Sequence, residues 1–61
     1  MDEDYITLLP TANPRKFLVV VMRYHKRDDE YVQGRVSQPL NETDAKSLAE
    51  MWAAAMRLSV R

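Results

Sequence analysis

Three consecutive valines, Val19 to Val21, lie at the centre of the apolar segment Phe17–Met22. A helix restricts the rotamers of β-branched side chains, whereas a pleated sheet accommodates them, so this segment predicts a β-strand over residues 16–24. Successive side chains of a strand point to opposite faces, and both faces of this strand are apolar. A strand of this kind needs cover on both sides, which limits the folds open to a short chain.

Two more strands follow from turn residues and periodicity. Residues 5–9 are short, apolar and partly β-branched, which predicts a strand, and Pro10 and Pro14 enclose the turn that follows it. Residues 31–38 alternate apolar and polar side chains with period two, which predicts a half-buried strand. The polar residues 25–30 form the hairpin loop between the second and third strands.

The last part of the chain predicts a helix over residues 42–58. Asn41 is a favoured N-cap residue, and Glu42 and Asp44 place negative charge in the first turn, where the helix dipole favours it. Apolar side chains at spacings of three and four share one face of this helix, which we interpret as core. They are Ala45, Leu48, Met51, Trp52, Ala55 and Met56.

The order of these elements predicts an α+β fold in one domain over residues 1–61. We expect a small three-stranded antiparallel β-sheet, a meander, packed on one face by a single C-terminal α-helix (β-β-β-α). A chain of this size buries only about 60% of its unfolded surface, and it has no cysteine for disulfides. A partner or a very economical core has to supply the remaining stability.

The hairpin register decides which face of the second strand the helix covers. If Tyr24 pairs with Val32, the even-numbered apolar residues of that strand lie under the helix. If Tyr24 pairs with Tyr31, the odd-numbered ones do. We prefer the first register, because Gly34 would then leave room for Trp52. Either register leaves large apolar side chains on the other face.

In the preferred register, the odd-numbered face of the second strand is uncovered. An apolar centre with an aromatic and arginine rim is typical of a protein-binding surface. The partner would be another protein or a second copy of this chain. The alternative is that residues 1–14 fold back and seal this face. The candidate partner-binding residues are Phe17, Val19, Val21, Arg23, Tyr31, Gln33 and Arg35.

The residue pattern predicts no catalytic or metal site and no cofactor, so we expect no enzymatic activity. His25 lies in a charged loop without a Ser or Thr tied to it, and nucleophilic catalysis needs a base with an orienting partner. Asp28, Asp29 and Glu30 lack the further ligands and the glycine of a calcium loop. Gly34 is the only glycine, which excludes a glycine-rich phosphate loop.

Nucleic-acid binding is the second hypothesis, and the charges of the chain bear on it in two ways. Nine basic and nine acidic residues cancel, whereas nucleic-acid binders usually carry a basic excess. Six of the nine basic residues nevertheless lie between positions 15 and 35, and Tyr24 and Tyr31 are able to stack on bases. The alternative nucleic-acid contacts are Lys16, Arg23, Lys26, Arg27 and Arg35.

The residue pattern favours a cytoplasmic location. The longest apolar run, Phe17–Met22, is far too short to span a membrane, and the acidic start of the sequence differs from the basic start of a signal peptide. We expect a cytoplasmic protein that does not bind membranes.

The helix opens with Asp44–Glu50, whose sequence is DAKSLAE. Three strands before such an Ala-rich helix resemble the C-terminal two-thirds of a double-stranded-RNA-binding domain. They also resemble the arm-type DNA-binding domain of tyrosine integrases. Both resemblances imply nucleic-acid binding.

The small size, the zero net charge and the open apolar sheet resemble small phage proteins that inhibit a host protein, anti-CRISPR proteins among them. Our first expectation is a non-enzymatic interaction protein, a regulator or inhibitor that works through its sheet face.

Overall fold

The computed structural model describes residues 3–61 and contains a four-stranded sheet with one helix, which confirms the α+β class. In chain order the elements are β1 (Tyr5–Pro10), β2 (Phe17–His25), β3 (Glu30–Val36), α1 (Glu42–Met56) and β4 (Ser59–Val60). The strand order across the sheet is β3-β2-β1-β4. The first three strands and the helix therefore lie where the sequence predicts them, within a residue or two at each end.

The fourth strand makes the sheet mixed, so the predicted three-stranded antiparallel meander is only roughly right. Ser59 and Val60 pair in parallel with Tyr5 and Ile6. The backbone N–H of Arg61 extends this pairing by donating to the carbonyl of Ile6 at 2.7 Å. A two-residue strand is too short to show an alternating pattern, which is why the sequence does not reveal it.

The helix α1 begins and ends through specific caps. The side-chain oxygen of Asn41 accepts a hydrogen bond from the backbone N–H of Asp44 at 2.8 Å, which confirms the predicted N-cap. At the other end, Arg57 adopts a left-handed conformation with φ 56°. The N–H of Leu58 then donates to the carbonyl of Ala53 at 3.0 Å. This turn stops the helix before the predicted residue 58 and directs the chain into β4.

The β2–β3 hairpin adopts the register that we do not favour from the sequence. Tyr24 pairs with Tyr31, not with Val32. The odd-numbered apolar residues of β2 therefore face α1, and the even-numbered ones lie on the opposite face. The hairpin turn is residues 26–29, and Asp29 reverses the chain in a left-handed conformation with φ 50°.

A β-bulge interrupts the same pair of strands. The pairing of Met22 with Gln33 is followed by that of Val20 with Val36, so β3 has one more residue than β2 in this interval. The extra residue moves the side chains after the bulge to the opposite face from the one that strict alternation predicts. Arg35 thereby comes to the helix side of the sheet.

The core lies between α1 and one face of β1 and β2. Its fully buried members are Ile6, Val19, Val21, Ala45 and Ala49. The small side chains of the two alanines allow the helix backbone to approach the sheet closely, so a short helix seals this face. The segment 5–10 pairs in the plane of the sheet as β1, so this part of residues 1–14 does not fold back over β2 as the alternative expectation had it. Residues 1 and 2, which that expectation includes, lie outside the described residues.

Two predicted core residues of the helix are wrong. Met51 is 66% exposed, and Ala55 is exposed as well. Ala49 and Ala53 contact the core instead. The core-facing stripe of α1 is thus centred on small side chains, which sequence periodicity weights less than a methionine.

Candidate interaction surface

The face of the sheet opposite α1 is called the open face here. In residues 3–61, α1 is the only helix or strand outside the sheet, and it packs on the other face, so no such element of this part of the chain covers the open face. The strand register assigns to the open face Tyr5, Thr7, Leu9, Leu18, Val20, Met22, Tyr24, Tyr31, Gln33 and Val36.

The centre of the open face is apolar. Leu9 pairs with Leu18 across β1 and β2, and both are half-buried, as is Met22. Val20 lies between them and is fully buried, whereas Val36 beside it on β3 is 45% exposed. These side chains do not belong to the core cluster under α1. They form a second, separate apolar layer on a two-layer protein.

Three tyrosines form a cluster at one end of the open face. The ring of Tyr31 lies edge-on to Tyr5, with centroids 5.1 Å apart, and 5.3 Å from the ring of Tyr24. The Tyr31 hydroxyl donates to the carbonyl of Glu3 at 3.1 Å, and the Tyr24 hydroxyl donates to the carboxylate of Asp29. Rings held in this way offer contact area that loses little conformational entropy on binding.

Arg61 supplies a cation at the rim of this cluster. Its guanidinium carbon lies 4.7 Å from the centroid of the Tyr5 ring, within the range of a cation–π interaction. The strand positions of the open face themselves carry no charged side chain. The surface is therefore neutral at its centre, with aromatic rings and one arginine at its edge.

The sequence assigns three of the candidate residues to the wrong face. Phe17, Val19 and Val21 pack against or beneath α1, and the two valines are 0% and 1% exposed. They are on the helix side because the hairpin adopts the other register. Tyr31 and Gln33 do lie on the open face, as expected. Whether any of these residues contacts a partner stays a prediction.

Two further candidates, Arg23 and Arg35, also lie on the helix side. The guanidinium carbon of Arg35 is 4.7 Å from the ring centroid of Trp52. The stem of Arg23 crosses Gly34, where an added Cβ would lie 2.8 Å from its Cδ. Its guanidinium reaches to 3.9 Å from the carboxylate of Asp4. The space above Gly34 is thus filled by Arg23, not by Trp52 as the preferred register requires.

The structure does not gather the predicted nucleic-acid contacts into one patch. Lys16 precedes β2, and Lys26 and Arg27 lie in the turn beyond its other end. At about 3.3 Å per residue, the length of β2 separates them by about 30 Å. The two arginines described above face the helix side between these ends. Nucleic-acid binding through the basic hairpin stays a prediction that this arrangement does not favour.

Outside the open face, His25 and a depression next to β4 are the features to consider for a chemical site. His25 ends β2, where it pairs with Glu30 and is exposed, instead of lying in the loop. Within residues 3–61, no group of three or more His, Cys, Asp or Glu side chains is placed to hold a metal ion. A depression next to β4 is lined by Glu3, Asp4, Arg57, Leu58 and Ser59.

Comparisons with protein-family models, with curated proteins and with solved structures gave no match. In the part of the chain that the structure describes, α1 does not reach the length and apolar character that crossing a membrane requires. The case for a function therefore depends on the geometry of the open face.

Proposed function

We propose that this chain is a small non-enzymatic protein-interaction module, which binds a partner protein through the open face and thereby regulates or inhibits it. The observation that supports this proposal is the second apolar layer. It faces away from α1 and is bounded by the tyrosine cluster and Arg61. Tyrosine and arginine around an apolar centre are the residue types that dominate binding energy at protein interfaces.

The open face carries apolar side chains that are only half-buried. Complete burial of a leucine or methionine contributes about 1.5–3 kcal/mol relative to full exposure. Leu9, Leu18 and Met22 realise only part of that contribution in the isolated chain, because each keeps some exposed surface. A partner that covers the open face would supply the remainder, and a domain of this size depends strongly on such increments.

Regulation or inhibition is the mode of action that fits a rigid surface of this kind. The open face is built on paired strands, so a partner binds it without ordering a loop first. The module would then act only by covering a surface of its partner, without catalysing a reaction. A cytoplasmic location belongs to the same proposal, because the chain uses no cysteine of the sort that oxidising compartments favour.

The test is affinity capture with two matched variants. Met22→Lys places a charge at the centre of the open face, whereas Met51→Lys makes the same exchange at an exposed position of α1. Circular dichroism must first show that both variants fold. We expect the unmodified chain and Met51→Lys to capture the same protein from nuclease-treated lysate, and Met22→Lys to lose it. Self-association that depends on Met22 would support the open face as the binding surface, with a second copy as the partner, but not the regulation or inhibition of another protein.

Three outcomes contradict the proposal. Capture that Met51→Lys abolishes and Met22→Lys preserves would transfer the activity to the helix. Recovery that disappears with nuclease and weakens steeply with salt would favour the nucleic-acid alternative. If neither a captured protein nor self-association depends on Met22, the open face has no partner.

A further inference from the structure

We propose that the occupant of the open face is a second copy of this chain, so that the protein is a homodimer packed sheet against sheet. This inference rests on the proposed function, because it names the partner of the same surface. The dimensions of the molecule, the uncharged strand positions of the open face and the nature of the other exposed surfaces support this assignment.

The dimensions of the molecule are compatible with a dimer interface of ordinary size. The Cα atoms extend over 35 × 25 × 16 Å, so the molecule has the shape of a plate. Its two longer dimensions enclose at most about 900 Å², and a standard interface buries about 800 Å² on each partner, so a dimer of that size would use most of one broad side. Two plates stacked on their open faces would form a sandwich with α1 outermost on both sides, as in proteins whose sheets pack about 10 Å apart.

Charge favours a second copy over an unrelated protein. Heterologous partners are usually recognised by complementary charge patterns, and the strand positions of the open face present none. The uncharged centre of the open face is complementary to itself, since a twofold axis brings no like charges together there. The chain also has zero formal net charge, so long-range repulsion does not oppose the approach of two copies.

Two other exposed features, the free edge of β3 and Met51 on α1, are poorer dimer contacts. The free edge of β3 carries the bulge at Gly34 and Arg35, and bulges and charged side chains disfavour edge-to-edge pairing. On α1, Met51 is a single exposed apolar side chain whose neighbours Glu50 and Ala54 are exposed, polar or small. Neither feature brings several apolar side chains together, as the open face does with Leu9, Leu18, Met22 and Val36.

The absence of cysteine from the chain allows a direct test. Met22→Cys and Met51→Cys each create one thiol, so any cross-link between copies by a short bismaleimide reports a single position. We expect rapid cross-linking of Met22→Cys and only slow, concentration-driven cross-linking of Met51→Cys. Sedimentation velocity on the unmodified chain should show a monomer–dimer equilibrium that is maintained in 1 M salt, because the contact is apolar.

Substitution of the interface provides the second measurement. We expect Met22→Lys and Leu18→Lys each to weaken the dimer at least about 30-fold, the effect of removing a central interface residue. Met51→Lys should change the dimer dissociation constant less than about 3-fold. Should the lysine variants unfold, Met22→Gln and Leu18→Thr, which are smaller changes, serve in their place with the same expected order.

The outcomes separate this inference from the proposed function. A chain that stays monomeric at several hundred micromolar, yet captures another protein through Met22, overturns the dimer and leaves the interaction module standing. A monomer that captures nothing overturns both. A dimer that Met51→Lys disrupts and Met22→Lys does not overturns the assignment of the open face. A dimer that both Met22→Lys and Leu18→Lys disrupt supports the inference.

Discussion

The guanidinium of Arg35 lies over the indole ring of Trp52, with its carbon 4.7 Å from the ring centroid. This contact joins β3 to α1, although the helix packs chiefly on β1 and β2. It exists because the bulge in β3 brings Arg35 to the helix side of the sheet. A local irregularity of one strand thus ties the edge of the sheet to the helix.

A double-mutant cycle should detect this contact. We expect Arg35→Gln and Trp52→Leu to show a coupling free energy of about 0.5–1 kcal/mol, the magnitude of an exposed cation–π interaction. Urea unfolding of the four proteins gives the value. Strictly additive effects would mean that the ring and the guanidinium do not interact in solution.

The packing of Arg23 over Gly34 predicts a second coupling. A methyl group at position 34 would lie 2.8 Å from the Cδ and Nε atoms of Arg23, so Gly34→Ala must displace that side chain. The displaced atoms belong to a flexible side chain that is 58% exposed, so we expect a loss of less than about 1 kcal/mol in the free energy of unfolding, below the usual cost of overpacking in a core. In an Arg23→Ala background the same exchange should cost nothing or stabilise the strand. An equal cost in both backgrounds would contradict the described packing.

The hairpin register predicts opposite outcomes for two adjacent residues. Val21 is 1% exposed beneath α1, so Val21→Thr buries a hydroxyl group, which costs about 1–3 kcal/mol. Met22 is half-buried on the open face, so we expect Met22→Thr to cost less than half as much. Chemical unfolding at a concentration where the chain is monomeric makes the comparison. The reverse order would be the signature of a Tyr24–Val32 register.

The left-handed residue after α1 offers a stabilising change. Arg57 has φ 56°, a conformation that glycine adopts without the steric cost that a Cβ imposes. Arg57→Gly should therefore raise the free energy of unfolding by about 0.5–1 kcal/mol. Arg57→Ala removes the same charge but keeps the Cβ, and it should give no gain. Equal effects of the two variants would assign the change to charge instead of backbone conformation.

The sequence predicts the elements of this fold better than their alignment. The valine run, the period-two pattern of β3 and the Asn41 cap are local signals, and each corresponds to an element of the structure. The register is not local. It depends on how the charged turn 26–29 closes, and a shift of one residue exchanges the two faces of β2. For that reason the sequence predicts that both faces of β2 are apolar, but it does not predict which of them faces α1.

The residues of the candidate surface also divide into those that the sequence places correctly and those whose position depends on contacts between strands. Tyr31 and Gln33 lie on the open face as predicted, because they precede the bulge. Arg35 follows it and changes sides, and no residue type marks that position except the exposed Gly34. The tyrosine cluster escapes prediction because Tyr5 comes from another strand, and its contact with Tyr31 arises only when β1 and β3 flank β2.

The parallel pairing of β4 with β1 has a consequence for synthesis of the chain. β1 and β2 are able to pair once the first hairpin has left the ribosome, but the outer edge of β1 waits until Ser59 and Val60 emerge. Throughout that interval the nascent chain displays an unpaired strand edge, which other chains are able to join. The time between the emergence of β2 and that of β4 therefore sets how long each new molecule is exposed to misassembly.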